Sequence, residues 1–137
     1  MHINAGLHDV RLTGEPLTRQ VSPEQYRRNL GVIIDRLRSK TGAKIIWALS
    51  TPIDTDTAFK LKKFRRDADV SIYNAIAREV MTQLGVPIND LYQFVIDGGR
   101  ERMISKDGAH FTPEGYAELG NRVAQLIRDA LGSNGQS

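Results

Sequence analysis

Five consecutive apolar residues, Ile45-Ile46-Trp47-Ala48-Leu49, stand between two stretches of helical periodicity, and no other feature restricts the fold so sharply. A strand wetted on one face alternates apolar and polar residues. A continuous apolar run of this length suits a strand covered on both faces, as in a parallel sheet. Ser50-Thr51-Pro52 ends it, because proline supplies no N–H to a ladder. Before the run, Ser22-Pro23-Glu24-Gln25 has the form of a capping box. Tyr26, Leu30, Ile33, Ile34 and Leu37 then recur at helical spacing, with Gly42 expected as a left-handed stop. After the run, a second helix is predicted from about Asp69 to Leu84, burying Val70, Tyr73, Ala77, Val80, Met81 and Leu84 and ended by Gly85.

The remainder continues the alternation. Met1 to Asn4 reads as a short apolar strand running into a polar turn at Gly6. Val86-Pro87-Ile88-Asn89 is a short strand whose proline places it at an edge. Asp90 caps a brief helix carrying Leu91, Phe94 and Val95, closed by Gly98-Gly99. A last helix after Thr112 is expected to bury Tyr116, Leu119, Val123, Ile127 and Leu131. Strands and helices in this order predict one α/β domain over residues 1–132, with a parallel sheet and right-handed crossovers, and a polar tail over 133–137. Ligand chemistry in such sheets gathers at the carboxyl ends of the strands. Gly6 to Asp9 and Ser50 both follow strands and belong at that rim.

Asp107-Gly108-Ala109-His110 carries the clearest chemistry. A carboxylate three residues before an imidazole in a tight turn can hold Nδ1, leaving Nε2 to take a proton from a nucleophile. Thr112 is a natural N-cap, Pro113 fits the first helical position, and Glu114 suits the positive end of the helix. His110 is thereby anchored to a rigid element. On spacing alone an ordinary loop with a capping Asp explains the block equally well.

A second block alters that balance. Gly6-Leu7-His8-Asp9, after the first strand, and Asp107-Gly108-Ala109-His110, before the last helix, together resemble the SGNH (GDSL-type) hydrolases, a family of serine esterases and lipases. The resemblance implies a three-layer, flavodoxin-like sandwich, here a truncated version with about three of the family's five strands. It implies that His110 is general base and then acid, that Asp107 orients it, and that Gly6 and His8 form the oxyanion side. His8 stands where the family carries Asn, and a ring N–H can replace the amide donor. The family's Gly-Asp-Ser nucleophile block and the oxyanion block after it have no counterpart in the sequence. The chain is then a fragment, or inactive, or uses another residue. Among its serines, Ser50 is the candidate nucleophile, because it follows the buried strand. The implied substrates are carboxylic esters, small molecules that need no cofactor; the alternative is a non-catalytic SGNH-like domain that binds a ligand or serves assembly.

Composition narrows the remaining classes. The 137 residues contain no cysteine, so disulfides and thiolate metal sites are excluded, and three histidines without clustered acids give no metal site. No apolar run approaches the roughly 18 residues of a membrane span, and no signal peptide precedes the first strand, which implies a cytoplasmic protein. The formal charge of +3 is concentrated in Lys60, Lys62, Lys63, Arg65 and Arg66. Asp54, Asp56, Asp67 and Asp69 flank that run, which favours a solvated loop or lid over a nucleic-acid surface. Three strands leave the edge at Met1 to Asn4 open, and open edges recruit partners, so a homodimer through the first strand is expected.

Overall fold

The structure is a computed structural model that describes residues 1–132; the polar tail at 133–137 lies outside the described residues. Three short parallel strands form the main sheet: β1 (His2–Ile3), β4 (Ile46–Ala48) and β5 (Ile88–Asn89), in the order β1-β4-β5. Between β1 and β4 the chain makes a small antiparallel hairpin, β2 (Leu12–Thr13) with β3 (Thr18–Arg19), and then helix α1 (Pro23–Lys40). Helices α2 (Thr55–Lys60) and α3 (Asp67–Gln83) join β4 to β5. After β5 come α4 (Leu91–Gly98), α5 (Arg100–Met103) and α6 (Pro113–Gly132).

Ile3, Trp47 and Ile88 share one row of the register across the sheet. This row lies under α1 and α3, where Leu30, Ile34, Tyr73, Ala77 and Met81 complete a dry core around Trp47 and Leu49. Both crossovers place their long helix on this one face. That follows when successive parallel strands step in one direction with crossovers of one hand. His2, Ile46, Ala48 and Asn89 alternate onto the other face, where Asn89 Nδ2 lies 3.0 Å from His2 Nε2. A second, smaller cluster of Val95, Met103 and Leu119 ties α4 and α5 to the start of α6.

The local signals at helix starts are met: Ser22 accepts from the Gln25 N–H at 3.2 Å, Asp90 from Gln93 at 3.0 Å, and Thr112 from Gly115 at 3.1 Å. Three expectations are corrected. Gly42 is not a left-handed stop; α1 ends at Lys40, where Thr41 is extended and returns both its N–H and its hydroxyl to the Leu37 carbonyl at 2.9 Å. The basic run is a loop only from Leu61 onward: Lys60 belongs to an additional short helix, α2, which Asp54 caps by accepting from Thr57 at 3.0 Å. Most of the apolar face of α6 is uncovered: Leu119 is buried, but Tyr116 is 52%, Ile127 36% and Leu131 64% exposed. Among the described residues no helix is long and apolar enough to cross a membrane.

Candidate active site

The loop from Ser105 to His110 is closed before it carries any chemistry. Ile104 and Phe111 form an antiparallel bridge at its mouth, and the Ser105 N–H donates to the His110 carbonyl at 2.8 Å. At its tip Gly108 has φ +78°, and a Cβ there would lie 3.0 Å from Thr57 Cβ and 3.1 Å from the Asp54 carbonyl oxygen. Any side chain would push the loop off α2. The Gly108 carbonyl in turn accepts from the Asp54 N–H at 2.7 Å. Asp54 lies in the connection leaving β4, so this contact brings the loop to the carboxyl end of the sheet.

Asp107 is the organising group of the loop. Its Oδ1 accepts from the Ala109 N–H at 3.0 Å, the His110 N–H at 2.9 Å and the Ser105 hydroxyl at 2.9 Å. Its Oδ2 accepts from the Lys63 ammonium at 3.0 Å and lies 2.5 Å from His110 Nδ1. A carboxylate only accepts, so Nδ1 carries the hydrogen and Nε2 keeps its lone pair. His110 above all, and then the two backbone N–H groups and Lys63, hold the Asp107 carboxyl well below the usual carboxylate range, against the desolvation that opposes them. The His110 side chain is 70% exposed, so Nε2 is open to a reacting group.

Gly6 follows β1 and is buried, with φ +147°. A Cβ on it would fall 2.7 Å from Ser50 Oγ and 3.2 Å from the Tyr26 hydroxyl, so only glycine fits this approach. The Tyr26 hydroxyl donates to the Ala5 carbonyl at 2.8 Å, and Arg65 Nε to the Leu7 carbonyl at 2.7 Å, which fixes the loop on both sides. His8 is exposed at its crest, and among the described residues its ring has no hydrogen-bond partner. Asp9 is held through its main chain, its carbonyl accepting from Val21 at 3.2 Å.

Ser50 follows β4 at the expected rim, yet only 5% of it is exposed. Its N–H donates to Asn74 Oδ1 at 2.9 Å, its carbonyl accepts from Asn74 Nδ2 at 2.8 Å, and its hydroxyl sits under Gly6, 3.4 Å from Asn4 Nδ2. Among the described residues no hydrogen bond joins it to His110. The structure therefore brings Asp107 and His110 together and sets Gly6 against Ser50, without linking the two groups directly.

Sequence reasoning missed three supporting side chains. Lys63 was indistinguishable from its cationic neighbours, and its partner lies 44 positions away. Asn74 lies within the predicted second helix and is buried against the main chain of Ser50. Asn89, at the end of the expected edge strand, is fully buried, its Nδ2 3.0 Å from His2 Nε2. No group of three or more His, Cys, Asp or Glu placed to hold a metal occurs among the described residues.

The family model described as GDSL-like lipase/acylhydrolase matches residues 1–118. The lipase/acylhydrolase from Enterococcus faecalis superposes with a TM-score of 0.77 at 24% identity, over 94% of this chain and 60% of that one. A GDSL-like lipase from Bacteroides thetaiotaomicron VPI-5482 superposes with a TM-score of 0.69 at 20% identity, over 94% of this chain and 62% of that one. No curated protein matches in sequence. The chain spans about three-fifths of the length of these solved structures, and at such identities the likeness concerns the fold. With the family match extending from β1 through the Asp107–His110 loop into α6, the chain belongs to the GDSL-like lipase/acylhydrolase family.

Proposed function

We propose that this chain serves the hydrolysis of carboxylic esters, with His110 as general base and then general acid and Asp107 as its orienting group. The observation that carries this reading is the Nδ1–carboxylate contact of 2.5 Å with Nε2 left exposed. Such a base takes the proton of an attacking hydroxyl and returns it to the leaving alkoxide. Gly6, whose close approach excludes a side chain, and His8, whose ring can donate, make the oxyanion side. The attacking hydroxyl must come from outside the Asp107–His110 loop. Ser50 is the candidate in this chain, and its burial under Gly6 speaks against it.

Hydrolysis of a short p-nitrophenyl ester tests the pair. His110→Ala is expected to lower kcat/KM by about a thousandfold or more, the scale of triad losses. Unchanged activity in that variant, with loss in His2→Ala, rejects the assignment. A fluorophosphonate probe followed by peptide mapping tests the hydroxyl. An adduct on Ser50 makes it the nucleophile, and no adduct on any serine rejects a serine acyl-enzyme in this chain.

A second reading, assembly without catalysis, is favoured by two observations: among the described residues no strand pairs with the outer edge of β1, and Tyr116, Ile127 and Leu131 leave α6 apolar and exposed. On this reading β1 and α6 belong to a homodimer interface.

A further inference from the structure

Two donors share one oxygen of the orienting carboxylate. Asp107 Oδ2 faces His110 Nδ1 at 2.5 Å and the Lys63 ammonium at 3.0 Å, while three other hydrogen bonds occupy Oδ1. Lys63 comes from a different element, the turn between α2 and α3, and only about a third of its side chain is exposed. That turn is built at a cost. Lys62 has φ 55° and Phe64 has φ 37°, so residues with side chains hold left-handed backbone on both sides of Lys63. The strained segment is tied down at several points. The Lys63 N–H donates to the Ala58 carbonyl at 2.8 Å, the Phe64 carbonyl accepts from Leu12 at 2.8 Å, and Arg65 holds the Leu7 carbonyl at 2.7 Å. The same turn therefore grips the Gly6 loop with one cation and the His110 loop with another.

An ordinary surface ion pair needs no such backbone. Here the ammonium is fixed where it acts on His110 in two ways. It competes with the imidazole for Oδ2, which weakens what the carboxylate offers to a protonated ring. It also adds a positive charge near that ring, which disfavours the imidazolium directly. Both effects favour the neutral ring, the only form that is a base. Among the described residues no other charged side chain bonds to the pair: Asp54 is spent capping Thr57, and Asp67 is held by Arg100 at 3.3 Å and Tyr92 at 2.9 Å. Lys106 precedes Asp107 in the loop and is exposed.

We propose that Lys63 is a positioning residue of the acid–base pair: sharing Asp107 Oδ2 with His110 from the α2–α3 turn, it favours the neutral, proton-accepting form of that ring. The proposal rests on the reading of Asp107 and His110 as the acid–base pair.

Imidazole NMR titration of the whole chain tests it without any substrate. His2 and His8 serve as internal references, and Lys63→Met removes the charge while keeping most of the stem. The His110 midpoint is expected to rise by about half a unit or more in Lys63→Met and to return toward the parent value in Lys63→Arg. A His110 midpoint that moves by less than about 0.1 unit in Lys63→Met, with both reference histidines also unmoved, overturns the proposal. If Lys63→Met does not fold by circular dichroism, Lys63→Gln carries the same measurement with the same two outcomes. The two ideas fail separately. A shifted His110 with no ester hydrolysis in the parent chain removes the hydrolase reading and leaves the Lys63 effect standing. Hydrolysis that depends on His110 but a midpoint indifferent to Lys63 does the reverse.

Discussion

Helices α1 and α6 are of similar length and each carries an apolar stripe, but their surroundings differ completely. On α1, Tyr26, Leu30 and Ile34 are 2% exposed or less, closed in by α3 and by the Trp47 row of the sheet. On α6, Leu119 is the one large side chain that is buried, and Tyr116 and Leu131 are more than half exposed. Periodicity reports that a helix has an apolar face; it does not report whether the chain contains what covers that face. The packed side is where this fold is held together. The open side is where something else has room to bind.

Truncation mutants give the largest contrast. Leu30→Ala leaves a cavity in a closed core and is expected to cost about 2–5 kcal/mol. Leu131→Ala removes a side chain already in water and is expected to stay within about 0.5 kcal/mol. Chemical denaturation of the two variants at low protein concentration checks both values. Equal losses would mean that the α6 face is covered after all.

A smaller effect is expected in association. An open parallel edge at β1 presents unpaired N–H and C=O groups, and the exposed stripe of α6 adds apolar area. The C-terminal part of α6 is tied to the segment before β4, where Lys44 donates to the Ala130 carbonyl at 2.6 Å. Light scattering is expected to show a dimer at micromolar concentration, and Ile127→Asp to weaken it by tenfold or more, about 1.4 kcal/mol. A monomer with an intact fold removes the dimer. The β2–β3 hairpin does not shield the edge in its place. It is anchored instead on α3 and the Lys63 turn, through Arg19 to Asp69 at 2.6 Å and Leu12 to Phe64 at 2.8 Å.

What could be read from the sequence was local. The caps at Ser22, Asp90 and Thr112 and the Asp107–His110 contact join residues three apart, so one short stretch of chain specifies each. The buried strand was legible because five apolar residues in a row have few other uses. The contacts that were not legible span the chain: Lys63 with Asp107, Asn74 with Ser50, Arg65 with Leu7. Nothing in composition or spacing selects Lys63 from the other cations of its run, because what selects it is a pair of left-handed residues that only the folded turn imposes. Gly42 misled for a related reason. Thr41 supplies the terminal hydrogen bonds of α1 itself, and the glycine after it is not required to turn the chain.

The loop carrying Asp107 joins the two sides, packed against α2 through Gly108 and leading into α6 through Thr112, and its contribution is the smallest and the most sensitive to pH. In Asp107→Asn the side-chain oxygen can still accept from the backbone of Ala109 and His110, but the amide places N–H groups where Lys63 and His110 donate. A partly exposed carboxylate with these partners is expected to contribute about 1 kcal/mol at neutral pH, and Asp107→Ala to cost more because the backbone contacts go as well. The sign of the pH dependence follows from the depressed carboxyl. In the folded chain Asp107 stays ionised below the unfolded value of about 3.9, so its contribution is complete above that pH and is lost as the pH falls through and below it. Thermal melts of the parent and Asp107→Asn should therefore differ down to about pH 5, then converge on further acidification. Since Oδ2 is the oxygen that Lys63 and His110 share, a gap that persists unchanged to the lowest pH at which both remain folded would mean that the charge adds nothing to stability there, and that the loop is held by Gly108, Ser105 and the Ile104–Phe111 bridge alone.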